Sequence, residues 1–358
     1  MSVLRKGYPT TYCIKNASGN APANIMRSLT LLPAAAEVAA PSARRYSYAA
    51  VLGAVAVGGL APGAVVWLLA PVLLGGMVVL GVAHGACDQF VVPATHPALA
   101  QGRGRYWVGF LAGYLGLAAA VGLLWWWQPA VAVALFFGLT AWHWGSADAP
   151  AQARHRGQWL AHSLLRGTLL FAVPLWRWPT ETMSIVRGLL ALAGAPTLPA
   201  TAGPLATGLL PVVLAGLALL WLSYYQQRQG ELARTDALET GLLVALLLVL
   251  PPVLAAGVYF VFWHSLQHVL RMNQLMDRTP ATPRRSLWAE LRFFLRRSAP
   301  LLLVSLGGLA LVFGLAWTRA ANGTVLVSLA LLAASVVTLP HALLVTLGMD
   351  ATRWRRSH

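Results

Sequence analysis

Two histidines four residues apart, His264 and His268 in the run WHSLQH, fall on one face of a helix. That spacing lets two imidazoles chelate one ion. Two other segments repeat the ingredients: GVAHGACDQF (81–90) places Asp88 one helical turn after His84, and WHWGSAD (142–148) places Asp148 about a turn and a half after His143. Metal-bound imidazoles commonly donate their second nitrogen to a carboxylate, so each aspartate is expected to orient the histidine it follows. Gly81 and Gly85 let a neighbouring helix or a bulky ligand approach closely. In LPHALL (339–344), His341 follows Pro340, which frees a backbone carbonyl and can kink a helix toward a cavity. His341 is therefore read as standing behind the ligands or lining a substrate pocket. Trp142, Trp144 and Trp263 either line that pocket or form an interfacial aromatic belt, and Gln267 and Asn273 are candidate donors near the site. Blander readings exist: an interfacial histidine pair beside a basic loop at 264 and 268, and a packing motif in which His84 and Asp88 bond each other. His162, near Arg166, reads as structural, and His96, His155 and His358 as solvated.

The elements that must hold these residues are membrane helices. Hydrophobic residues make up 58% of the chain, charged residues 10%, and the mean hydropathy is +0.65. Soluble domains carry about 25% charged residues. The chain is expected to be an all-α polytopic membrane protein, a single bundle of about 8–10 transmembrane helices, because a span needs roughly 20 residues. Apolar runs at 47–68, 71–92, 106–127, 129–147, 159–178, 205–225, 237–250, 252–270, 299–318 and 323–347 are the candidates. The run 237–250 is short and abuts Pro251-Pro252, so it could instead open one long kinked helix. Residues 183–196 read as an interfacial or re-entrant piece. The organisation expected is a disordered cytoplasmic tail (1–45), a transmembrane catalytic domain (46–350) and a basic cytoplasmic tail (351–358).

Arginine placement tests this map. With ten spans, Arg44 and Arg45, Arg103 and Arg105, Arg154 and Arg156, Arg228 and Arg234, the run from Arg271 to Arg297, and the C-terminal arginines share one side. By the positive-inside rule that side is cytoplasmic, with both termini, in a multi-pass protein of the cell (inner) membrane. The +16 formal charge is thus a topology signal rather than a nucleic-acid footprint. Cys13 and Cys87 have no spacing that suggests a disulfide framework or a thiolate metal site. On the same map His84, His143, His264, His268 and His341 all lie within about two turns of the cytoplasmic ends of their helices. Such convergence is what one metal centre in a bundle requires.

An all-nitrogen donor set suits iron, copper or zinc. A mostly neutral set without cysteine leaves Fe(2+) cationic and open to O2, and a site in lipid is reachable by a long apolar molecule. Oxidative chemistry on a lipid-soluble substrate is the simplest combination. A haem cytochrome needs ligands facing each other across the macrocycle, which His264 and His268 on one helix face cannot be. A di-iron desaturase or hydroxylase calls for about eight histidines in several boxes, and a metal or lipid transporter calls for internal repeats and broken helices. A membrane metal-dependent oxidase on another lipid-soluble substrate, or a transporter, is the alternative reading.

GVAHGACD, WHWGSAD, WHSLQH and LPHALL, in this order and at these separations, resemble the four signature blocks of the Brp/Blh family of bacterial and archaeal membrane β-carotene 15,15'-dioxygenases. The resemblance covers most of the chain from about residue 70. It implies that His84, His143, His264 and His268 are ligands of Fe(2+), and that β-carotene is split at its central double bond by O2 into two retinals. It also implies a retinal-receiving rhodopsin as a possible partner. The chain departs from the family pattern at Ala83, in place of proline, at Gln89, in place of histidine, and at Gln267, in place of arginine.

Overall fold

The computed structural model describes residues 41–195, 202–276, 286–317 and 323–354. Among these the chain is helical throughout, with no strand. In chain order the helices are α1 (Pro41–Leu60), α2 (Pro62–Thr95), α3 (Arg103–Trp127), α4 (Pro129–Asp148), α5 (Arg156–Arg177) and α6 (Pro179–Leu192). They continue as α7 (Ala202–Gln226), α8 (Gly230–Val249), α9 (Pro252–Met276), α10 (Leu287–Trp317), α11 (323–349) and the short α12 (Ala351–Trp354).

Proline sets several boundaries. Pro129, Pro179 and Pro252 each open a helix at the first turn, where the missing N–H costs nothing. Pro251 forces Leu250 into extended backbone at ψ 145°, which separates α8 from α9. The expected run 47–68 is divided in the same way at Pro62, so that α1 begins earlier, at Pro41, and ends at Leu60. Residues 183–196 belong mostly to α6, whose 14 residues are too short for a span.

Among the described residues, seven helices are long and apolar enough to cross a membrane: α2, α3, α4, α7, α9, α10 and α11. The protein is an all-α polytopic membrane protein. Three more helices of at least 20 residues, α1, α5 and α8, are less apolar and share a buried ionic network. Arg166 on α5 is fully buried and donates to Asp236 Oδ1 of α8 at 2.5 Å; the same carboxylate accepts from His162 Nε2 at 2.8 Å and from Trp221 Nε1 at 2.7 Å. Glu239 accepts from Arg44 and from the Tyr48 hydroxyl. Each charge in this network has a partner of opposite sign, which is what makes its burial tolerable. Arg271 is likewise buried, donating to Asp350 at 2.6 Å. These arginines thus serve packing as well as any topological bias.

The expected tail 1–45 lies outside the described residues up to residue 40, and residues 41–45 form the start of α1. Of the expected basic tail, Ala351–Trp354 is helical, with Arg353 donating to the Ala149 carbonyl, and 355–358 lie outside the described residues.

Helices α4 and α5 approach to backbone contact. A Cβ on Gly145 would collide with the Ser163 carbonyl oxygen, and one on Gly167 with that of Ala141. His143, two residues before Gly145, is thereby held on a rigid helix pair.

Candidate metal centre

Three helices that carry motif histidines loosen into π-helical turns beside them: Met77–Val82 before His84, Tyr259–Ser265 around His264, and Val345–Met349 after His341. The last is closed by the Asp350 N–H donating to Val345 O at 2.9 Å, a five-residue step. An inserted residue turns the following face by about 100°. π-bulges of this kind concentrate at functional sites.

These segments and α4 bring five imidazoles into one cluster. His84 lies with ring centroids 5.7 Å from His264, 5.4 Å from His268 and 4.9 Å from His341. His143 lies 4.8 Å from both His264 and His341, and His268 lies 5.2 Å from His341. Donor nitrogens of His84, His143 and His341 fall within 4.8 Å of one another, as do donor atoms of Asp88, His268 and His341. The rings of the four histidines expected as ligands therefore cluster, with His264 in neither donor group, and His341, expected behind them, belongs to both.

All five rings are buried, and most of their nitrogens have no partner in the protein: both on His143, His264 and His268, and Nε2 of His341. Buried polar atoms in native structures are almost always satisfied. A cluster of unsatisfied lone pairs in one small volume fits a bound cation. The Nδ1 contacts of His84 and His341 fix tautomers in the same sense. His84 Nδ1 donates to Gly81 O at 2.5 Å, and His341 Nδ1 donates to both Asp88 oxygens at 2.9 Å, which leaves Nε2 of each ring as the lone-pair donor.

The aspartates differ from their expected roles. Asp88 holds His341 rather than His84, and also accepts from the Tyr114 hydroxyl at 3.1 Å. The reason is local: α-helical geometry ends at Ala86 and Cys87, and Asp88 opens a 3-10 turn, so the expected one-turn stacking on His84 is lost. Asp148 touches no histidine; it accepts from Tyr259 Oη at 3.0 Å and Trp263 Nε1 at 3.1 Å. It braces α4 against α9.

Of the expected pocket residues, Trp144 faces the centre, with its ring 5.9 Å from His264 and packed on Tyr259 at 5.0 Å. Trp142 turns to Thr346 and Trp159, Trp263 to Asp148 and Tyr48, and Gln267 to Ser47. Asn273 donates to Glu290. Sequence reasoning missed Tyr114 and the π turns. A tyrosine on an apolar helix carries no periodic signal that marks its partner.

Fold and site together define a polytopic membrane protein built around a buried polyhistidine centre of metal-binding composition. The family model described as Beta-carotene 15,15'-dioxygenase matches residues 75–349, a stretch that contains all five histidines. The chain belongs to the β-carotene 15,15'-dioxygenase family. It is similar to a probable β-carotene 15,15'-dioxygenase, Blh, of Halobacterium salinarum, 31% identical over 290 residues that cover 76% of this chain and 82% of the relative. It is also similar to a probable β-carotene 15,15'-dioxygenase, Brp, of the same species, 31% identical over 263 residues, 69% of this chain and 71% of the relative. No solved structure matches significantly. The family is one of carotenoid-cleaving oxygenases, and this chain is an enzyme of that class.

Proposed function

We propose that the protein cleaves β-carotene, or a closely related carotenoid, at the central 15,15' double bond with O2, giving two molecules of retinal. Its site is the inner cell membrane, with both termini cytoplasmic. The observation that carries the reading is the buried clustering of five imidazoles, most of whose nitrogens lack protein partners. His84, His143, His264 and His268 would hold Fe(2+), with His341 as a fifth nitrogen donor. Bound iron would supply the electron exchange that lets dioxygen react with a carbon–carbon double bond.

The rest is the work of the chain. Atoms balance without outside electrons or protons: one C=C bond and the O–O bond break, two C=O bonds form, and each aldehyde keeps one oxygen atom. No side-chain acid, base or nucleophile is needed. The protein instead fixes geometry and keeps water out. Asp88 and Tyr114 orient the His341 ring, the Gly81 carbonyl orients His84, and Trp144 with Phe260 closes an aromatic wall beside His264. Substrate arrives from the bilayer and product leaves into it, where a retinal-binding rhodopsin could receive it.

Expression in a β-carotene-accumulating bacterial host tests this. Loss of orange colour with appearance of retinal is expected, and His264→Ala should abolish both iron binding and cleavage. An unchanged carotenoid profile beside folded, iron-loaded protein would overturn the substrate assignment.

A further inference from the structure

Beside the histidine centre, α3, α11 and residues 92–101 border a partly open cavity of about 900 Å³, within the size range of small-molecule sites. It contains none of the five histidines. One wall is a stripe of α3: Tyr106, Phe110 and Tyr114 recur every four residues, so their rings form a ladder with centroids 6.0 and 5.6 Å apart. Between them Gly109 and Gly113 make a floor without side chains, and a Cβ at either position would meet nothing within 4 Å. Leu344 and Leu347 of α11 form the facing wall. From Arg105 to Leu117 the lined stretch of α3 runs about 18 Å at 1.5 Å per residue.

The wall of the cavity is tied to the centre by hydrogen bonds. Tyr114 lines it and donates its hydroxyl to Asp88 at 3.1 Å, and Asp88 in turn holds His341 on α11. The residues flanking His341 on that helix, Pro340 before it and Leu343 and Leu344 after it, line the cavity as well. An extended conjugated hydrocarbon suits this shape better than a flexible acyl chain does. Flat π systems stack favourably along aromatic faces, and a glycine floor admits their full width.

We propose that this groove is where one arm of the polyene lies, drawn laterally from the bilayer, with Tyr114 as the positioning residue at the junction between groove and metal centre. The assignment rests on the carotenoid-cleaving function proposed above. Its ligand class is an apolar, extended isoprenoid polyene.

The test is to fill the groove without touching the centre. Gly109→Leu and Gly113→Leu place a side chain in open space, and Gly116→Leu, on an exposed part of α3 outside the groove, is the control. Iron content, melting temperature and the β-carotene dependence of retinal formation are measured for each protein in detergent. Wild-type iron content with kcat/KM reduced at least tenfold in the groove variants, and unchanged in Gly116→Leu, is expected. Groove variants that hold iron and cleave as the wild type does would overturn the proposal and mark the cavity as ordinary lipid contact. An equal loss in Gly116→Leu would overturn it too. Iron-loaded wild-type protein that yields no retinal would instead overturn the functional reading, and this assignment with it.

Discussion

Replacing Asp88 by Asn separates the two aspartates that the sequence places in equivalent positions. The Asp88 carboxylate takes the His341 ring N–H on both oxygens at 2.9 Å and the Tyr114 hydroxyl at 3.1 Å. A hydrogen bond to a charged acceptor contributes about 1.5–3 kcal/mol and one to a neutral acceptor about 0.5–1.5 kcal/mol. Asparagine keeps the shape and one acceptor oxygen, so the change costs roughly 1–2 kcal/mol of the energy that holds His341 in place. At about 1.4 kcal/mol per decade, metal affinity should fall about 5- to 30-fold, in line with the roughly 10- to 100-fold effects of losing a carboxylate behind a metal-bound histidine. Asp148→Asn should leave metal affinity within about threefold and lower stability by about 1 kcal/mol, because its partners are Tyr259 and Trp263 rather than a histidine. Anaerobic titration of Fe(2+) into the two purified variants, beside their melting curves, measures both effects. Equal loss of metal affinity in the two variants, or none in Asp88→Asn, would show that Asp88 does not act through His341.

Arg166→Leu removes the partner of Asp236 and should cost about 3–5 kcal/mol, seen as a steep drop in melting temperature, while Arg166→Leu with Asp236→Leu should recover part of it. Gly145→Ala forces α4 off the Ser163 carbonyl of α5; since neither backbone can yield, a loss of about 1–3 kcal/mol is expected, together with weaker metal binding as His143 shifts. Gly138→Ala, on the same helix with nothing within 4 Å of the added Cβ, should leave both properties unchanged. His341→Ala should reduce iron occupancy in the purified protein, whereas a residue that only lined the substrate pocket would leave occupancy intact and change the carotenoid dependence alone.

Much of the architecture was legible because its cause is local. Apolar runs of spanning length mark α2, α3, α4, α7, α9, α10 and α11, and Pro251-Pro252 marks the break between α8 and α9. His264 and His268 were readable from their four-residue spacing. The partner of Asp88 was not, because a 3.6-residue period assumes a regular helix, and the backbone around His84 runs through a π turn and then a 3-10 turn. His341 was set apart for a related reason: its neighbours in the centre lie on three other helices, and only their packing brings the ring within 4.9 Å of His84. The network of Arg44, Arg166, Asp236 and Glu239 is also a product of packing. Its charges lie up to 195 residues apart in sequence and are expensive in lipid until they meet.

The stoichiometry of a metal-dependent reaction in purified protein tests the proposed cleavage most directly. Metal-free enzyme in detergent is loaded with Fe(2+), supplied with β-carotene and O2, and the carotenoid consumed is compared with the aldehydes formed. Two retinals for each β-carotene and each O2 are expected, with no product from metal-free protein and none from His143→Ala. Products of unequal length, or retinal formed equally well without metal, would contradict the proposal.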